Sequence, residues 1–173
     1  MKTHQTSSRQ SLLVLSASLL LLIATCFSAT PTFAADDADA IQGTWNFVEG
    51  EVNGTSLGEI LKRQGITKMQ VQFSDDVMSM SGFGPRNQQW EFSLDETKNP
   101  KEVRLVAVET AGKAAKGTKL TAIYELEGDQ LKLCLPGDET VGVPKDFKAP
   151  AESRLSSLML KRQTDKEESP AKP

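Results

Sequence analysis

Histidine and cysteine are almost missing from this chain: one of the first and two of the second in 173 residues. The histidine is His4 and one cysteine is Cys26, and both fall in an N-terminal segment with the marks of a secretory leader. Lys2 and Arg9 make its positive start, Leu12 to Phe27 is apolar and uncharged, and Thr32-Phe33-Ala34 puts small residues at −3 and −1. Cleavage after Ala34 is therefore expected, with 1–34 as a signal peptide and export to the periplasm, the cell surface or the medium. The remaining chain has no histidine and one thiol, Cys134. Serine triads and Cys–His pairs need an imidazole base, so both are excluded. Zinc sites need several His or Cys ligands, and an internal disulfide needs two thiols. No catalytic residue, metal ligand or cofactor-binding residue is expected.

Two other readings of the leader stand beside cleavage. As an uncleaved anchor, its apolar run is short against the roughly 20 residues a membrane-spanning helix needs. Alternatively, Leu22-Ile23-Ala24-Thr25-Cys26 resembles a bacterial lipobox, with Thr25 where Gly, Ala or Ser is usual, so lipid attachment at Cys26 is the minor alternative. No membrane span is expected in the processed protein.

Basic charge is also scarce. The whole chain carries −3, and loss of Lys2 and Arg9 leaves 18 basic against 23 acidic residues, or −5. Nucleic acids and anionic lipid surfaces select clustered Lys and Arg, so neither is an expected partner. About 139 residues remain after processing, enough for one domain with a sizeable core. Residues 35–40 read as a loose acidic lead-in, and Gln163 to Pro173, polar with two prolines, as a disordered tail.

What is present between them is alternation with period two. About eight segments show it: Thr44 to Val52, Lys68 to Phe73, Val77 to Ser81, Gln89 to Leu94, Val103 to Thr110, Leu120 to Leu126, Gln130 to Leu135 and Arg154 to Arg162. In the third, Val77 and Met78 compete for the inward face. Asn53-Gly54, Ser74-Asp75-Asp76 and Gly128-Asp129 are turns. Ser56 to Gln64 is the one helix candidate: Ser56 caps it, Glu59 sits three residues on, and Gly65 stops it. Short connections and a single helix after the first strand predict an all-β, antiparallel, up-and-down barrel over residues 41–162, with a β-sandwich as runner-up. Closure removes exposed sheet edges.

Ile41-Gln42-Gly43-Thr44-Trp45, Val52-Asn53-Gly54, the run Ile123 to Cys134, Phe147 and Leu158-Met159-Leu160-Lys161-Arg162 resemble a family of small exported, lipocalin-like domains expanded in planctomycete bacteria. The resemblance covers Ile41 to Arg162 and implies a fold, not an activity. From lipocalins proper it implies two structural roles. Gly43 and Trp45 would close one end of the barrel, and Arg162 (or Lys161) on the last strand would stack on the indole. The lipocalin Thr-Asp-Tyr signature is missing, with Glu127-Gly128-Asp129 in that turn.

The interior is the remaining candidate site. Met69, Phe73, Met80, Trp90, Phe92 and Tyr124 join Trp45 on inward-reading positions, a surface suited to apolar ligands. The same side chains serve equally well as a filled core, and Cys134, between Leu133 and Leu135, reads as an inert packed thiol. Asp75-Asp76 and Asp138-Glu139 read as turn residues, and Asp36, Asp37 and Asp39 lack EF-hand spacing. The functional expectation is an exported, non-enzymatic lipocalin-like protein holding a small apolar or amphipathic molecule. The alternative is a structural or protein-interaction module of the cell envelope with a filled barrel.

Overall fold

A computed structural model describes residues 36–83, 87–109 and 114–164, all within one unit of the chain, Ala34–Pro173. In chain order the elements are α1 (Asp37–Ala40), β1 (Gly43–Val52), β2 (Thr55–Ser56), α2 (Leu57–Gln64), β3 (Gln70–Ser74), β4 (Val77–Ser81), β5 (Gln88–Asp95), β6 (Lys101–Ala107), β7 (Lys119–Glu127), β8 (Gln130–Pro136) and β9 (Leu155–Arg162). Each long strand pairs antiparallel with the next, and β9 returns to pair with β1. Eight strands thus close into an up-and-down barrel, with two-residue β2 as a spur on β1. One continuous closed sheet leaves no place for two facing sheets, so the sandwich alternative falls.

The alternation works as the pleat requires. Along β3, Val71 and Phe73 are buried while Gln72 and Ser74 are exposed; in β4 Met78 and Met80 are buried, which settles the Val77/Met78 parity in favour of Met78. One position breaks the pattern. The β1–β9 register slips between Phe47 and Glu49, a bulge that turns Val48 outward, 54 % exposed. Gly50 follows where the strands pass closely: a Cβ there would lie 2.3 Å from the Ser157 carbonyl oxygen.

β3 accompanies β1 only from Gly43 to Asn46, whereas β9 follows β1 to Val52. The helix α2 packs where β1 has lost that neighbour, and its Leu57 and Leu61 enter the main core. It starts as read: Ser56 Oγ accepts from Glu59 N at 3.5 Å, and Gly65 ends the helix at φ 69°.

Three expectations need correction. Residues 36–40 are not a loose lead-in. They form the short helix α1, with Asp36 capping Ala38 N, and Ile41 behind it is fully buried. The fifth expected segment, Val103 to Thr110, is β6 at Lys101–Ala107. Gly117 N donates to the Ala107 carbonyl at 2.8 Å, so the connection to β7 already turns there. Gln163 belongs with the barrel, not with a tail: its N–H donates to Thr44 O at 2.8 Å, and its side-chain oxygen accepts from Gln70 Nε2 at 2.7 Å. The rest of the expected tail from residue 165 and the expected leader lie outside the described residues.

The long connection from β8 to β9 is a strap on the outer wall. It is pinned at both ends, Gly137 N to Arg154 O at 2.8 Å and Arg154 N to Asn53 Oδ1 at 3.0 Å. At its middle, Phe147 O accepts from Ser157 Oγ at 2.7 Å. Beneath it Ile123 and Cys134, register partners on the outward side of β7 and β8, are buried together with Ala149.

Candidate functional site

The two barrel ends differ. At the end where β1 starts and β9 finishes, Trp45 is fully buried and its Nε1–H donates to Ile41 O at 2.8 Å. Arg162, its register partner on β9, places its guanidinium carbon 4.2 Å from the indole centroid. The same guanidinium donates to the carbonyls of Gln42 (2.6 Å) and Ala40, and to Asp129 Oδ1 at 3.1 Å. Gly43 sits at φ 111°, a conformation that favours glycine, and a Cβ there would press Arg162 Nη1 at 3.3 Å. Lys161 is exposed and does not share the stacking role.

Beside this plug lies a polar cluster. Asp37 Oδ2 accepts from Tyr124 Oη at 2.8 Å and from Lys101 Nζ at 2.5 Å, and Lys101 also approaches Glu96 at 3.8 Å. Burial, then the bond to Asp37, pushes the Tyr124 phenol well above its ordinary range. The bond to Asp37 raises Lys101. Glu96, bonded to Asp36, is raised, and Asp36 is lowered by the same contact. The cluster fastens α1 to the barrel, a structural use of Asp36 and Asp37.

The opposite end holds a cavity of about 820 Å³. Met80, Trp90, Leu120 and Leu135 make its apolar floor and Val52 and Phe83 part of its wall. Asp138, Glu139, Thr140 and Arg154 stand at the rim. The rim is internally paired: Arg154 Nη1 meets Asp138 Oδ2 at 2.8 Å, Arg154 Nη2 meets Thr140 Oγ1 at 3.0 Å, and Glu139 Oε1 accepts from Lys119 N at 2.8 Å. Bonds from Thr140, with Arg154 behind them, hold the Asp138 carboxyl below the usual range.

Of the inward-reading residues, the structure brings only Met80 and Trp90 to this cavity. Trp45, Phe73 and Tyr124 fill the plugged half, Phe73 edge-on to half-buried Phe92 with centroids 5.1 Å apart. Met69 is buried just ahead of β3 and belongs to the main core. Sequence reasoning missed the rest of the floor. Leu120 and Leu135 carried the inward signal, but nothing in the pattern says that they share one barrel end. Asp138 does make the turn it was read as, accepting from Thr140 N at 2.9 Å, and it also sits on the rim.

Cys134 is buried, with burial raising its thiol to about 11, and Sγ faces Lys148 O at 3.8 Å. Among the described residues no charged side chain is buried and no group of His, Cys, Asp and Glu is placed to hold a metal ion. No helix among them is long and apolar enough to cross a membrane. No family model matches the chain, and no curated protein matches its sequence.

Proposed function

We propose that this protein is an exported, non-enzymatic binding protein that holds a small apolar or amphipathic molecule at the open end of its barrel. One observation carries the reading: a cavity of about 820 Å³ over an apolar floor, in a barrel whose other end is plugged by Trp45 and Arg162. Ligand sites are typically concave, mostly apolar and about 300–1,000 Å³, with a few placed polar groups. The chemistry at this end suits binding better than bond-breaking, because the rim carboxylates are engaged with Arg154, Thr140 and a backbone N–H.

Native mass spectrometry of protein purified from its own host tests the proposal. A small molecule retained on the folded chain is the expected result. A bare mass, together with no change in tryptophan fluorescence across a panel of lipids, would count decisively against it.

A second reading, an interaction module of the cell envelope, draws on the outer wall. Val48 projects from the bulge beside a groove of about 580 Å³ along β1 and β9. Val48→Lys separates the two, since it leaves cavity binding intact and abolishes only a contact made through the wall.

A further inference from the structure

The outer wall at β1 and β9 carries a bulge whose effect is to expose an apolar side chain. The register slip between Phe47 and Glu49 leaves Val48 without a partner on β9 and 54 % exposed. A bulge gives up ladder pairing and re-aims a side chain, so it reads as a built feature. Val48 stands at the groove of about 580 Å³ together with half-buried Met159 and Phe147. The strand β9 is paired on both flanks, with β1 and β8. What covers the wall there meets side chains, not an open backbone edge.

Charge on the two banks of the groove is segregated. Met159 on β9 is the register partner of Glu49 on β1 and of Lys132 on β8, so acid, apolar and base stand in one row across three strands. Glu51, two residues on from Glu49, extends the acidic bank. Lys148 of the strap, whose carbonyl faces Cys134 on β8, extends the basic one. Glu49, Glu51 and Lys148 are exposed and have no ion-pair partner among the described residues. Lys132 meets Glu125, and an ammonium has further donors to give. Two carboxylates and two ammoniums thus line a groove that is neutral as a whole and polarised across its width. A partner of one sign is repelled by one bank. A half-turn about an axis through Met159, normal to the wall, carries the acidic bank onto the basic one. That is the self-complementarity a two-fold contact requires, since both copies present the same patch.

We infer that this groove is the interface of a two-fold homodimer. Val48 and Met159 of the two copies pack at its centre, and Glu49 and Glu51 of one copy face Lys132 and Lys148 of the other. A second copy takes the place that the interaction reading leaves to another envelope protein, and the inference does not depend on what the cavity holds. The patch is small, and contacts under about 1,200 Å² belong to weak, transient complexes. A dissociation constant of about 10–100 µM is expected. Added salt should weaken the dimer, because it screens exposed charge pairs.

Sedimentation velocity on protein purified from its own host, loaded from about 1 to 500 µM to bracket that constant, tests this. Wild type should pass from monomer to dimer across the series and return toward monomer at high salt. Glu49→Lys with Glu51→Lys should stay monomeric, because both contacts then join base to base. Lys132→Glu with Lys148→Glu should stay monomeric, because both join acid to acid. Mixed in equal amounts, the two double variants should dimerise again, since every bank then meets its opposite. Lys132→Glu puts a like charge beside Glu125, so Lys148→Glu alone takes its place in the mixture if the double variant folds poorly. Val48→Lys should weaken dimerisation at least about tenfold through loss of the apolar centre. Wild type that stays monomeric throughout overturns the inference. So does a dimer indifferent to Val48→Lys and to both charge reversals, or a mixture of folded variants that fails to recover. Ligand retention in native mass spectrometry is read on the same samples, so failure of the dimer and failure of the cavity reading are told apart.

Discussion

The guanidinium of Arg162 covers the indole of Trp45 at 4.2 Å and ties the carbonyls of Ala40 and Gln42 to the barrel floor. Cation–π attraction of about 2 kcal/mol for a desolvated pair is one part of its effect. Two carbonyls that lose their donor are the other. Arg162→Ala should cost about 2–4 kcal/mol of unfolding free energy in a urea titration. Arg162→Lys should recover less than half, since an ammonium lacks the planar fork that reaches both carbonyls while stacking. An Arg162→Ala variant as stable as wild type would mean that the stacking is incidental.

Trp45→Ala removes the plug itself. The ring is fully buried and its N–H is bonded, so both the cavity left behind and the orphaned Ile41 carbonyl count. A loss of about 3–5 kcal/mol is expected. A change below about 1 kcal/mol would contradict burial of the indole at the floor.

The alkaline limit of stability should lie at the same end. Tyr124 and Lys101 both converge on Asp37, and both have raised folded pKa values. A raised group contributes stability that is complete below its unfolded pKa, about 10 for Tyr and 10.4 for Lys. That contribution is lost as pH rises through the folded value. Denaturation midpoints should therefore begin to fall above about pH 8.5, where the buried Cys134 thiol, raised to about 11, starts to count, and fall more steeply above about pH 10 as Tyr124 and Lys101 join. Tyr124 is the sole tyrosine of the chain, so tyrosinate absorbance reports it alone. Phenolate should be absent from the native protein at pH values where the unfolded chain already shows it. Asp37→Asn should bring its titration down, though burial keeps it above the ordinary phenol range. Native phenolate appearing near pH 10 would refute burial of the phenol, and an Asp37→Asn titration unchanged from wild type would refute the Asp37 contact.

Much of this architecture was readable from residue order because the pleat imposes a period of two and a closed barrel needs only one apolar face. Ser56, Glu59 and Gly65 marked α2 for equally local reasons, a hydroxyl cap and a left-handed stop. What escaped depends on contacts made at a distance. Residues 36–40 look like a solvated acidic string until Asp37 finds Lys101 and Tyr124, 64 and 87 positions away. Cys134 and Ile123 occupy outward positions that alternation assigns to water, yet the strap buries them. Alternation also gives inward-facing residues without their height in the barrel. It could not tell Phe73, in the packed half, from Trp90, at the cavity floor.

The strap gives a chemical prediction. Cys134 lies under it with a thiol raised to about 11, and the reactive species is the thiolate. Native protein at pH 8 should resist a thiol-directed disulfide reagent until denaturant is added, then react with one equivalent of processed chain. Gly54 stands under the strap with φ 79°, where a Cβ would lie 2.7 Å from Ala151 N. Gly54→Val should loosen the strap and make Cys134 reactive while the barrel stays folded. Rapid labelling of the unaltered native protein would mean that the outer wall is open to solvent.

Filling the cavity separates binding from folding. Leu120 is nearly buried at the floor, and Leu120→Trp directs a larger ring into space that the fold leaves empty. Overpacking a dense core costs about 1–3 kcal/mol because neighbours must move. Growth into an open cavity meets less resistance, so the variant should stay within about 1 kcal/mol of wild type. Its affinity for a ten-carbon apolar probe such as decane should nevertheless drop more than about tenfold, since the chain loses the room it occupies. Arg162→Ala, at the far end, should do the reverse: lower stability with little effect on affinity in the folded fraction. If Leu120→Trp binds the probe as well as wild type, the ligand does not enter the barrel mouth, and the outer groove beside Val48 becomes the place to look.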